Sequence, residues 1–159
     1  MSTISRQLLL DAVKARLATI RTAAGYYTDI GATVSEWRVT AFDEGELNAV
    51  TVRDPEDLPI AGTIQGMNAV MDRHLTVVIG LPFWGGSAEA AAVVRKAVAD
   101  VYKAIGASDG IYPGEQWGGL AMQTEDLGNT LVVRQEDQKV VGVDITIRIQ
   151  YRTTKWQES

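Results

Sequence analysis

A chain of 159 residues fits one domain with room for a substantial core, and 46% hydrophobic with 22% charged residues is an ordinary globular balance. The absence of cysteine removes disulfides, thiolate metal sites and a cysteine nucleophile, while no apolar run reaches about 18 residues and no basic-then-apolar leader opens the chain, so synthesis in the cytoplasm is expected. The net charge of −5 comes wholly from residues 41–60, where six acids (Asp43, Glu44, Glu46, Asp54, Glu56, Asp57) stand against Arg53, which makes a polyanion such as nucleic acid an unexpected partner.

From Ile4 to about Ala24, Leu9, Val13, Leu17 and Ile20 recur at helical spacing, predicting an amphipathic helix with Ser2 or Thr3 as cap and Gly25 as stop. Tyr26 and Tyr27 follow; adjacent tyrosines at a helix end pack onto the core more often than they clasp a ligand. Thr33–Val39 and Leu47–Arg53 read as strands, joined by an acidic connection too polar for the core. Across 54–72 periodicity is lost. Pro55 and Pro59 argue against a regular central strand, and Gly62 and Gly66 suggest a flexible excursion that suits an arm in an assembly.

Arg73–Phe83 returns to strand, with Leu75, Val77, Ile79, Leu81 and Phe83 on one face and Val78 on the other, so that its middle is expected to be covered on both sides. A helix over Ala88–Ile105 follows, capped by Ser87, with Glu89 in its first turn and Gly106 at its end. Five glycines and Pro113 between Gly106 and Gly119 describe an irregular loop holding Tyr112 and Trp117. Leu120–Leu127 and Thr130–Gln135 are expected to be two strands about a Gly128-Asn129 hairpin turn. The last strand, Lys139–Thr153, is the clearest element: Val141, Val143, Ile145, Ile147, Ile149 and Tyr151 alternate with Gly142, Asp144, Thr146, Arg148, Gln150 and Arg152, over roughly twice an ordinary strand length. Two helices packed on one face of a mainly antiparallel or mixed sheet, an α+β domain spanning 1–159, is the predicted architecture.

No catalytic constellation emerges. His74 is the sole histidine, and neither a nucleophile elbow nor HExxH accompanies it. Gly110, Gly114, Gly118 and Gly119 make no phosphate-binding fingerprint. The acidic clusters lack EF-hand spacing, leaving at most a weak surface cation. Hence no catalytic, cofactor or metal residue is assigned. On the polar face of the last strand, Asp144, Arg148 and Arg152 suggest an ion-pair ladder. Alternatively Arg134, Arg148 and Arg152 of one subunit meet the acids Asp43, Glu44, Glu46, Asp54, Glu56 and Asp57 of the next, orienting a heterologous contact able to close a ring. Reversing the charges at 148 and 152 would then weaken assembly while leaving the fold intact.

The opening helix with Gly25-Tyr26-Tyr27, then Glu36-Trp37-Arg38, Val50-Thr51-Val52-Arg53-Asp54, His74-Leu75-Thr76-Val77, Ala104-Ile105-Gly106, Trp117-Gly118-Gly119-Leu120 and Tyr151-Arg152-Thr153 together resemble the tail terminator (tail completion, minor tail protein U-like) proteins of long-tailed bacteriophages. The resemblance covers nearly the whole chain, although each motif is structural punctuation and none a catalytic signature. It implies a non-enzymatic α+β protein, made in the bacterial cytoplasm and resident in the virion. There a ring, hexameric in the family, sits on the last ring of tail-tube protein, ends tube growth and offers a surface to head-completion or neck proteins. No membrane and no cofactor are implied. The segment Pro55–Asp72 is longer than the family pattern leads one to expect. Two other readings stay open: a head-completion or neck connector that contacts the portal, and a small-molecule-binding domain or enzyme subunit with a pocket lined by Tyr26, Tyr27, Trp84 or Trp117.

Overall fold

A computed structural model describes residues 5–38, 49–60, 70–84, 88–135 and 140–154. The elements are α1 (Ser5–Leu17), β1 (Val34–Glu36), β2 (Val50–Pro59), β3 (Val70–Trp84), α2 (Ala88–Ile105), β4 (Gln123–Gln135) and β5 (Val140–Thr154). The strands form one sheet in the order β1-β2-β3-β5-β4. β1 joins β2 in parallel and every other neighbour is antiparallel, so the fold is α+β as the patterning predicts.

The two central strands carry the longest alternating patterns and pair along their whole length, from Val70 opposite Thr154 to Trp84 opposite Val140. Leu75, Val77, Ile79 and Leu81 of β3 and Val143, Ile145, Ile147, Ile149 and Tyr151 of β5 all bury on the helix side. Against them pack Leu9, Leu10, Val13 and Leu17 of α1 and Val94, Ala97, Val101 and Ala104 of α2. Each large aliphatic side chain taken from water contributes about 1.5–3 kcal/mol, which is what holds two helices on a single face. The other face carries the polar half of the alternation. Val78 is buried there, flanked in register by Arg53 and Thr146.

Four expectations need correction. The first helix ends at Leu17, not near Ala24. Ile20 keeps the stripe because it is buried outside the helix, and the chain returns so that the Gly31 N–H donates to the Ile20 carbonyl at 3.0 Å. A Cβ at Gly31 would lie 2.6–2.8 Å from the carbonyl oxygens of Leu17, Ala18 and Ile20, so only glycine fits against that helix end. Second, Asp54–Pro59 is strand: among the described residues β1 pairs β2 only through Val52 and leaves the remainder an edge, and Pro55 falls in the register shift between Arg53 and Glu56. Proline is compatible with an edge or a bulge because no ladder donor is needed there. Between β2 and β3 lie Ile60, whose N–H donates to the Asp72 carbonyl at 2.9 Å, and residues 61–69, which are outside the described residues.

Third, Gly128-Asn129 is no hairpin turn. Residues on both sides of it pair with β5 in one antiparallel run, with a register shift between Asp126 and Asn129. Gly128 takes φ +96° and its N–H donates to the Asp126 carboxylate at 2.8 Å, the conformation of a bulge glycine. Asp126 in turn accepts from Tyr102 Oη at 2.9 Å, tying the bulge to α2. Fourth, the Thr33–Val39 strand is confined to Val34–Glu36 within the described residues. The predicted cap Ser87, and Ser2 and Thr3, lie outside them.

Candidate interaction surface

Three polar assemblies dominate the described surface. The first joins α1 to the β2 edge. Arg6 Nε donates to Asp54 Oδ2 at 2.6 Å and its Nη2 to the Asp54 carbonyl at 2.8 Å, while its Nη1 lies 3.7 Å from Asp57. Asp54 also accepts from Trp37 Nε1 at 2.6 Å. Asp57 accepts from Arg73 Nε at 3.0 Å and from Tyr151 Oη at 2.7 Å. Burial opposes the Arg6 charge, but the hydrogen bond and attraction of Asp54, with Asp57 beyond it, raise its pKa above the ordinary guanidinium value. These carboxylates are therefore sunk into the protomer, with Asp54 buried and the Asp57 side chain only 5% exposed.

The second assembly lies on the helix-free face, where the alternation of β5 sets Asp144, Arg148 and Arg152 in one row. Arg53 stands 3.7 Å from Asp144, Arg148 2.8 Å from Glu125 and Arg152 2.8 Å from Asp72. Gln150 donates to Asp72 at 3.0 Å, and Gln123 donates to Gln150 at 2.8 Å. The hydrogen bond from Arg152, with that from Gln150 and the nearby charges against the cost of burial, holds the Asp72 carboxyl below the usual range. This is the ion-pair ladder anticipated for the strand.

The third fixes the glycine-rich loop. Arg16 stacks its guanidinium 4.2 Å from the Trp117 ring centre and donates to the carbonyls of Ile105 at 2.9 Å and Gly114 at 2.5 Å. It thereby closes the carbonyl end of α2, where positive charge is favoured, and burial lowers its pKa. Trp117 is buried at φ +50° with Nε1 donating to Thr124 Oγ1 at 2.8 Å. Tyr26 is half-buried beneath Lys103, whose Nζ lies 4.7 Å from its ring centre, whereas Tyr27 is exposed. The Tyr27 and Thr28 backbone amides instead donate to buried Asp100 at 2.9 and 2.8 Å. The expectation that both tyrosines pack inward holds for Tyr26 alone.

Of the proposed interface residues, Asp54 and Asp57 thus serve contacts within the protomer, Glu56 stands exposed on the β2 edge, and Arg148 and Arg152 belong to the ladder. Arg134 lies on β4 beside its second register irregularity. Asp43, Glu44 and Glu46 lie outside the described residues. His74 sits on the helix-free face of β3, opposite Leu58 and Gln150. Among the described residues, no group of three or more His, Cys, Asp or Glu side chains is arranged to hold a metal ion, and no helix is long and apolar enough to cross a membrane. Sequence reasoning missed Trp37. Its φ of +49° and its bond to Asp54 follow from tertiary contacts that no local pattern announces.

No protein-family model matches the chain, and no curated protein matches it. Among solved structures, a chain from the virion of a native gene transfer agent particle superposes with a TM-score of 0.45 and 15% identity, over 94% of this chain and 92% of that one. A likeness that distant carries no functional inference.

Proposed function

We propose that the chain is a structural virion-assembly protein of the tail-terminator kind. Subunits associate head to tail into a ring, six in the family it resembles. The ring seats on the final ring of tail-tube protein, stops its polymerisation and presents its far side to a head-completion or neck protein. The action is steric, and no covalent bond is made or broken.

The resemblance in sequence is the starting point, and the observation that supports it best is the open architecture. Among the described residues, one sheet is covered by helices on one face alone, both sheet edges carry exposed apolar side chains, and the polar face is knit into ion pairs. A protein acting by interfaces needs such surfaces. Light scattering on purified protein, with negative-stain images, tests the reading: discrete rings are expected alone or on tubes, and tubes polymerised with the protein present should stop growing. A strict monomer at high concentration, both alone and with tube protein, would overturn it. Preferential binding to connector proteins over tube protein would favour the neck assignment instead.

A further inference from the structure

Past Val52 the outer side of β2 has no ladder neighbour among the described residues, and the direction of its backbone groups can be followed residue by residue. The Val50 N–H donates to the Thr33 carbonyl at 2.9 Å, and the Val52 carbonyl accepts from the Trp37 N–H at 2.9 Å. Residues 50 and 52 therefore face β1, while 51 and 53 face β3. After the register shift the Ile60 N–H donates to the Asp72 carbonyl of β3 at 2.9 Å. Alternation then turns 56, 58 and 60 toward β3 and leaves 57 and 59 facing outward.

An open edge of this kind is a template for a further strand unless its polar groups are removed or occupied. Pro55 and Pro59 have no N–H, so of the outward pair 57 and 59 only Asp57 offers a donor. The carbonyls are covered by guanidinium groups. Arg6 Nη2 donates to the Asp54 carbonyl at 2.8 Å, and Arg73 Nη2 donates to the Asp57 carbonyl at 3.1 Å. Each arginine is also held by the carboxylate of the residue whose carbonyl it covers, Arg6 Nε at 2.6 Å from Asp54 and Arg73 Nε at 3.0 Å from Asp57. Neither can swing aside without breaking an ion pair. Solvent reaches this edge, since Glu56 is exposed and Leu58 is 52% exposed, so the covered carbonyls belong to a strand that another chain could otherwise approach.

We propose that Pro55, Pro59, Arg6 and Arg73 together guard the β2 edge and keep it from accepting a strand of another chain. A sheet closed at one edge cannot add strands at both, so open-ended growth by sheet extension is denied to this protein. The guard stands independently of the ring reading; any contact that a ring makes here is then made by side chains and not by a backbone ladder.

Amide exchange on the wild type tests the geometry first: the Asp57 N–H should exchange about tenfold or more faster than those of Glu56 and Leu58. An Asp57 N–H as protected as its neighbours would show a strand already paired there and overturn the proposal. The guard is then opened in two steps. Pro55→Thr with Pro59→Thr restores two N–H groups and leaves both ion pairs, and adding Arg73→Met uncovers the Asp57 carbonyl. Sheet-rich aggregates, followed by thioflavin fluorescence and sedimentation, should form at a protein concentration about tenfold or more below that needed by the wild type. Leu58→Lys added to the triple variant should reverse this gain, because a lysine on an edge disfavours an incoming strand. Thermal melts, with Arg16→Ala as a variant destabilised away from this edge, separate strand pairing from loss of the fold. Variants no more prone to aggregate than the wild type would overturn the proposal. So would aggregation that Arg16→Ala matches at an equal melting temperature, or that Leu58→Lys fails to reverse. Should the triple variant not fold, the proline pair, with its ion pairs intact, decides the matter by the same readings.

Discussion

Arg6 offers a sharp test of how the first helix is held to the sheet. Arg6→Leu keeps the aliphatic stem but deletes the donors to the Asp54 carboxylate and carbonyl, and the charge 3.7 Å from Asp57. Asp57 retains Arg73 and Tyr151, so its loss is small. Asp54, with a side chain 10% exposed, retains only the Trp37 indole among the donors described above. A charge-assisted hydrogen bond is worth about 1.5–3 kcal/mol, and stranding a buried charge costs about 3–5 kcal/mol. Because the Arg6 side chain is 35% exposed, water replaces part of what is lost, and about 2 kcal/mol is the expected loss. Urea unfolding followed by tryptophan fluorescence measures it. In a cycle with Asp54→Asn, the double variant should be less destabilised than the sum of the singles. A single-variant loss below about 0.5 kcal/mol, the range of ordinary surface substitutions, or strict additivity in the cycle, would refute the claim that this pair fastens α1 to β2.

Arg16→Ala removes two carbonyl contacts and the stack on Trp117; a loss of about 2 kcal/mol is expected, with faster amide exchange concentrated at residues 106–122. For Asp72, whose folded pKa is depressed, the ladder's contribution is complete above the unfolded value of about 3.9 and fades as pH falls through the lower folded value. Asp72→Asn should therefore melt below the wild type at neutral pH, with the gap closing in acid; a gap independent of pH would contradict this. Arg152→Glu places a second carboxylate beside Asp72, whose side chain is 6% exposed, and should lower the melting temperature more than Arg152→Gln. The same melts check the expectation from sequence that charge reversal at 148 and 152 leaves the fold intact, because Arg152 is paired with Asp72 within the chain.

The elements legible in the sequence were those whose periodicity and burial agree. β5 was expected over Lys139–Thr153 and runs Val140–Thr154, and α2 spans Ala88–Ile105 as expected. Legibility failed where a partner distant in the chain decides the local conformation. Pro55 and Pro59 are sound evidence against a central strand, but among the described residues β1 reaches only to Val52 in its pairing and leaves their segment an edge. Gly128-Asn129 has turn chemistry, yet β5 pairs on both sides of it and makes it a bulge. The acids at 54 and 57 looked like docking charges because their cations, Arg6 for Asp54 and Arg73 for Asp57, lie 48 and 16 residues away. Alternation did indicate the ladder on β5, since face and charge were both written along a single strand.

The proposed function has this chain closing on copies of itself at the end of a protein tube. Its most direct test is to polymerise purified tail-tube protein with and without this chain and to image the products. Tubes that stop growing, each bearing a ring of this protein at one end, are the predicted result. Tubes of undiminished growth with the chain monomeric in solution would contradict it.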